Sequence, residues 1–339
     1  MFKILALDGG GSRSAFEAGF LAEIERTIGE PIAGYFDMIA GTATGGIIGV
    51  LLALGIPATE IKEVYSKRLA KLFEPYESTF TGMHRILTEL SSPLVERLTS
   101  VTAAHFLYPK YTGTGLESLA KEFVKDLKLT DITSCRLLIP TVNLIHGKPF
   151  IFKTRHLPDQ GDNYDFLLMD VLRATIASPT FFTPLRLEGH GVFSDGGIWA
   201  NNPALVAYAE ATNIAAHCRR PSDPVFTTDD IYILSVGCGH AMENYTPPAN
   251  RAGMKFWATR LLELMFESQG RSTNFYLERL MQERFKRINF ERTHLQSGPG
   301  ADIHHIEDIM QMGKFAAQRE YDSVREVFLV EKASPPQPF

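Results

Sequence analysis

Cysteine is scarce in this chain: three in 339 residues, Cys135, Cys218 and Cys238. They are too few and too scattered for a disulfide framework or a cysteine-rich metal site, which fits a reducing, cytoplasmic compartment. An excess of positive charge is missing too. With 34 Lys and Arg against 39 Asp and Glu, the net charge is −5 at pH 7, which gives a DNA or RNA polymer no electrostatic footing. A small anionic ligand needs only one local basic pocket and stays open. Long apolar runs are also lacking. The greasiest stretch, Ile47 to Leu54, falls far short of the roughly 20 residues that cross a bilayer. The opening "MFKILALDGGG" holds a short apolar run with no cleavage-like region, and reads as a first strand rather than a signal peptide. His105, His146, His156, His190 and His240 stand singly, and the adjacent His304 and His305 would face different directions on a helix. Metal-ligand spacing is therefore absent, and neither a metal nor a cofactor is expected. Internal repeats and low-complexity linkers are lacking, so one domain is expected over residues 1–333, with a helical C-terminal part and a flexible tail at 334–339.

What is present is an ordinary globular composition, 45% hydrophobic and 22% charged, able to bury a large core. "KILALD" reads as a buried strand broken by Gly9-Gly10-Gly11, and "SAFEAGFLAEIERTIG" as a helix stopped at Gly29. "YFDMIAG" is a second strand, followed by the helices "GGIIGVLLALG" and "ATEIKEVYSKRLAKLF". "RLLIPTVNLIHGKPFIFKT" gives two strands joined at His146-Gly147, "FLLMDVLRATIAS" a helix, and "IYILSVGCG" a further strand. Beyond Ala241 come amphipathic helices, one short strand in "RFKRINFE" and a last helix near Phe315–Phe328. Strands alternating with helices predict an α/β fold with a mostly parallel sheet covered on both faces. Glu74 to Tyr111 suits a surface excursion or lid. Its aromatics Tyr76, Phe80, Phe106 and Tyr108, with Phe73 just before, fit an acyl groove, a bilayer contact or plain packing.

Three short stretches can carry chemistry. "DGGGSR" lies between strand and helix, where glycine amides facing one point would stabilise a negative charge. The dinucleotide pattern G-x-G-x-x-G fails because position 14 is Ser. A tight turn and an anion hole fit this loop equally well. "GTATG", Gly41 to Gly45, has everything a G-x-S-x-G nucleophile elbow demands except the serine, whose place Ala43 takes. Alone, it reads as an ordinary turn. In "SDGGIWANNP", Asp195 precedes two glycines. A desolvated carboxylate beside a serine hydroxyl acts as general base without histidine, although Asp-Gly by itself is only a turn signal.

Taken in order, "LDGGGSR", the elbow, "ASPTFFTP" (Ala177–Pro184), "DGG" with "NNP", and "LSVGCG" (Leu234–Gly239) resemble the patatin-like phospholipases over about residues 1–240. The resemblance implies a three-layer α/β/α patatin-like fold with a central mostly parallel sheet and a Ser–Asp dyad acyl hydrolase. Ala43 stands at the nucleophile's place, Asp195 at the base's, Gly9, Gly10 and Gly11 at the oxyanion loop, and Arg13 at the family's basic position. Ser14 replaces the glycine of many members. The expected substrate is membrane phospholipid, met by transient contact with the inner face of the membrane. The chain also resembles bacterial antiphage effectors activated by cyclic dinucleotides, for which Arg271, Arg279, Arg284, Lys286 and Arg287 could supply a basic pocket if they do not form a solvated helix face. A homo-oligomer is compatible. Asp195, Gly41, Gly45 and the glycine loop remain intact, a strained site without use once the hydroxyl is gone. This favours an introduced Ser→Ala replacement; the alternative is a naturally inactive protein that binds lipid or nucleotide.

Overall fold

The computed structural model describes residues 1–76, 81, 86, 88–89, 91–93, 102–157, 165–217, 225–241, 245–249, 253–257, 260–292 and 305–336. Cys218, Phe80, His304 and much of the expected lid lie outside the described residues.

The strands are β1 (Phe2–Leu7), β2 (Met38–Gly41), β3 (Arg136–Asn143), β4 (Lys148–Lys153), β5 (Leu185–Leu187), β6 (Gly191–Asp195), β7 (Ile231–Val236), β8 (His240–Ala241), β9 (Phe285–Ile288) and β10 (Glu291–Arg292). The large sheet runs β5-β6-β3-β2-β1-β7-β9, with β4 added on β3, while β8 and β10 pair separately. Strands β3, β2, β1, β7 and β9 are mutually parallel, whereas β4, β5 and β6 are joined through antiparallel pairings. β1 is central and buried along its whole length, so its sequence is continuously apolar apart from Lys3. That is the signature of a strand covered on both faces.

Successive β1 side chains serve opposite layers. Leu5 and Leu7 join Phe16, Phe20, Ile47 and Phe328 in one core, while Ile4 and Ala6 join Ala207, Ala211 and Leu277 in the other. Helices Ala15–Ile28, Ala43–Ala53 and Ile306–Phe328 thus contribute to the first layer, and Ala204–His217 and Leu261–Met281 to the second. The last helix starts nine residues before the expected Phe315. Gly313, inside this helix, is a crossing point. A Cβ there would lie 2.2 Å from the Phe16 carbonyl oxygen, and one at Gly19 would lie 2.2 Å from that of Met310. Two glycines let the backbones of the two helices touch, a close approach no side chain permits.

The excursion expected between Glu74 and Tyr111 has a closed neck: Pro75 and Tyr111 form an antiparallel bridge. Phe73 and Tyr111 are buried there, edge to face at 5.2 Å, while Phe106 and Leu107 on the short helix Ala103–Leu107 are largely exposed. Among the described residues no helix is long and apolar enough to cross a membrane.

Candidate active site

The site grows from a change of partner along β3. Residues Arg136–Leu138 pair with β2, whereas Thr141–Asn143 pair with β6, and β4 lies along Leu138–Asn143. Leu138 has β2 and β4 as neighbours, and Thr141 has β4 and β6. β2 and β6 must therefore share one side of β3. β2 runs with β3 and β6 against it, so their ends, Gly41 and Asp195, approach head to head across a gap at Ile139-Pro140. Proline is tolerated here because no ladder donor is needed opposite the gap. The Pro140 carbonyl accepts a hydrogen bond from Thr175 Oγ1 (3.1 Å), which in turn accepts one from the Ala43 amide (2.9 Å). One threonine thus ties the elbow to the gap.

Ala43 sits at φ 50°, a left-handed conformation that costs a non-glycine residue about 1–2 kcal/mol. It starts the buried helix Ala43–Ala53, so the turn lies at a helix N-terminus, favourable ground for negative charge. The neighbours explain why the pattern needs glycine. A Cβ on Gly41 would come within 2.4 Å of the Gly45 carbonyl oxygen, and one on Gly45 within 2.4 Å of that of Asp8. Thr42 Oγ1 donates to the Ala200 carbonyl at 2.7 Å, which binds the elbow to the turn after Asp195.

Asp195 is 3% exposed and accepts a 2.8 Å hydrogen bond from the Gly197 amide. Burial pushes its carboxyl up to about 7, against the opposing pull of that amide and of the Ser178 hydroxyl. Such a group is poised to take up and release a proton near neutrality.

The glycine loop follows β1. The Gly9 amide is engaged by the Asn201 carbonyl at 3.0 Å, and the Gly10 amide reaches Thr44 Oγ1 at 3.3 Å. Gly11, at φ 62°, keeps an amide without a partner among the described residues. Behind the loop, Ser14 Oγ meets Thr44 Oγ1 at 2.7 Å and Cys238 Sγ at 3.2 Å, and Tyr65 donates to the Thr44 carbonyl. The departure at Ser14 is therefore a buried bracket of the loop. Cys238 lies directly beneath Gly10, where a Cβ would come within 2.2 Å of its own Cβ. Burial and the nearby Glu17 and Asp8 hold the Cys238 thiol well above its ordinary value, and burial likewise keeps Glu17 protonated beyond the usual carboxylate range.

One cleft of about 590 Å³, partly open to solvent, brings together Gly9, Gly10, Gly11, Arg13, Ala43 and Asp195. Its remaining lining is mostly apolar: Ile47, Phe73, Tyr111, Ile176, Phe181, Phe182 and Phe266, with Thr44, Ser178 and Asn201 as polar exceptions. Residues drawn from the far ends of the chain thus meet around a space that suits an apolar chain ending in a polar group.

A patatin-like phospholipase family model matches residues 5–208. The chain belongs to that family. Among curated relatives, a cGAMP-activated phospholipase of Vibrio cholerae is 34% identical over 69% of this chain, a match that spans 63% of the relative. A protein of the same description from Pseudomonas aeruginosa is 28% identical over 99% of this chain and 94% of its own length. Patatin-like protein 2 of Arabidopsis thaliana is 32% identical over 70% and 60% of the two chains. Among solved structures, VipD from Legionella pneumophila aligns over 95% of this chain and 67% of its own, at 13% identity and a TM-score of 0.44.

Membership of the patatin-like family accounts for the ordered motifs, Asn201 of "NNP" among them, but two residues of the site carried no sequence signal. Phe266 in the cleft lining and Thr175, which ties the elbow to Pro140, sit in stretches that read only as helix. The five basic residues considered for an activator pocket each have a partner within the chain. Arg271 pairs with Glu267, Arg279 lies over the Phe275 ring, Arg284 reaches Asp229, and Lys286 pairs with Glu320. Arg287 turns inward to Asp8.

Proposed function

We propose that this fold is a Ser–Asp dyad lipid acyl hydrolase whose nucleophile position is occupied by Ala43, so that the chain binds an acyl lipid and hardly turns it over. The observation that carries this reading is the left-handed turn at Ala43 in one cleft with a buried carboxyl that titrates near 7. Strain of that kind persists where function keeps it.

With serine at 43, the hydroxyl adds to the ester carbonyl as its proton passes to Asp195. The oxyanion meets the glycine loop, with the Gly11 amide the donor not already engaged. Collapse expels the lysophospholipid alkoxide, which takes the proton from Asp195. Water then gives its proton to Asp195, its oxygen adds to the acyl-enzyme, and the carboxylic acid leaves as the proton returns to the serine oxygen. The apolar lining takes the acyl chain, and the exposed Phe106 and Leu107 provide a contact with the membrane surface. The names of the bacterial relatives support activation by a cyclic dinucleotide.

The test is Ala43→Ser with phospholipid vesicles, with and without cyclic GMP-AMP, reading released fatty acid. Release by the serine variant and none by the present chain is expected. Silence of the serine variant under every condition would favour the alternative, a naturally inactive lipid- or nucleotide-binding relative. Release that ignores the nucleotide would remove the activation and leave the hydrolase.

A further inference from the structure

A largely buried basic group beside the site belongs to the C-terminal part, outside the residues 5–208 matched by the family model. Arg287, on β9, sends Nη1 to Asp8 Oδ1 at 2.9 Å and Nη2 to Asp8 Oδ2 at 2.5 Å. Asp8 is buried and Arg287 nearly so, at 7% and 13% exposed. Asp8 is the residue immediately before Gly9-Gly10-Gly11. β7 carries the frame for this pair. Ser235 lies opposite Arg287 in the β7–β9 register, and its hydroxyl accepts from Arg287 Nη1 at 2.7 Å. At Gly237 a Cβ would come within 2.4 Å of Arg287 Nη2, so a side chain there would push the guanidinium from its place. Val236, between them, takes the Asp8 amide at 3.2 Å, and Cys238 donates to the Asp8 carbonyl at 3.3 Å. The stretch "SVGC" therefore surrounds Asp8 on backbone and side chain alike.

We propose that Arg287 is a positioning residue for the oxyanion loop: its two-pronged pair with Asp8 sets the direction in which the following glycine amides face the cleft. The proposal rests on the acyl-hydrolase reading for its kinetic consequence, though its structural half stands alone. A single planar guanidinium making two parallel hydrogen bonds fixes orientation as well as distance, which a lysine ammonium does not. Asp8 is three residues before Gly11, whose amide is the donor left open, so rotation of its backbone passes along Gly9 and Gly10 to that N–H vector. Arg287 is not among the residues that line the cleft, so its effect on the site passes through Asp8.

The test uses Arg287→Lys, which keeps the charge and loses the fork, in two backgrounds. In the present Ala43 chain, amide hydrogen exchange is followed across residues 8–14, with the helix Ile306–Phe328 as internal reference. Faster exchange in the loop with the reference unchanged is expected. In Ala43→Ser, kcat should fall by about 10²-fold, the scale of a misplaced catalytic group, with KM nearly unchanged. Asp8→Asn, which keeps the volume and breaks the ionic pair, should shift both readouts the same way and serves if Arg287→Lys does not fold. Loop exchange as slow as in the parent, or a loss confined to KM or to global stability, would overturn the proposal. If Ala43→Ser releases no fatty acid, the hydrolase reading fails, and the exchange measurement on the Ala43 chain still decides the role of Arg287.

Discussion

Asp195→Asn should stabilise this protein, and by an amount that depends on pH. The carboxyl stands at about 7 in the fold against 3.8 for an ordinary aspartate, because burial disfavours its charge. In the unfolded chain it loses its proton first. Rising pH therefore favours unfolding, starting near the ordinary value, and the loss of stability is complete only above the folded value of about 7. At about 1.4 kcal/mol per unit over about 3 units, the loss between pH 4 and pH 8 is about 4 kcal/mol. Asparagine carries no charge to desolvate and can still accept from the Gly197 amide, so it escapes this loss. The assay is urea unfolding of parent and variant at pH 4, 6 and 8, read by tryptophan fluorescence and circular dichroism. The difference between the two proteins at each pH is the quantity of interest. His156 and the other titrating groups are common to both and cancel, while a constant offset from the amide's shape moves every point equally and leaves the trend with pH unchanged. The variant's advantage should grow steadily up to about pH 7 and then level off. A difference that stays flat from pH 4 to pH 8 would refute the claim that Asp195 is held neutral by burial.

Three further outcomes follow from the same geometry. In Ala43→Ser, kcat/KM should rise about tenfold per pH unit below the value near 7 and flatten above it, since only deprotonated Asp195 accepts the hydroxyl proton; a profile flat between pH 5 and 7 contradicts that role. Ala43→Gly should raise the unfolding free energy by up to about 1 kcal/mol, because relief of φ 50°, worth about 1–2 kcal/mol, exceeds the roughly 0.5–1 kcal/mol of added freedom in the unfolded chain; a variant less stable than the parent in urea contradicts strain at Ala43. Gly45→Ala should fail to fold or lose several kcal/mol, because its Cβ would meet the Asp8 carbonyl oxygen at 2.4 Å; a variant as stable as the parent means that the elbow and the glycine loop are not in contact.

Local features of this site were readable in the sequence because their causes are local. β1 announces itself by an apolar run, the elbow by small residues flanking a strained position, and the turn at Asp195 by two glycines. The start of the last helix was not readable. Gly313 weakens a helix taken alone, and its value appears only against Gly19 of another helix. Nor was the gap at Ile139-Pro140, which depends on which strand stops pairing where.

Arg287 is the sharpest case of that limit. In the sequence it stands with Arg284 and Lys286, and three cations within four residues look like a surface patch. β9 pairs with β7 in a register that sets Arg287 opposite Ser235, and the absence of a side chain at Gly237 opens the way to Asp8. The same charge that seemed to invite an anionic ligand from outside is spent inside, 279 residues away in sequence. A buried pair of this kind is weak evidence for stability, since desolvation offsets most of the attraction. Its persistence beside the glycine loop is better explained by what it orients than by what it stabilises. If so, an apolar pair of matching volume at Asp8 and Arg287 would keep the fold and lose the loop's aim.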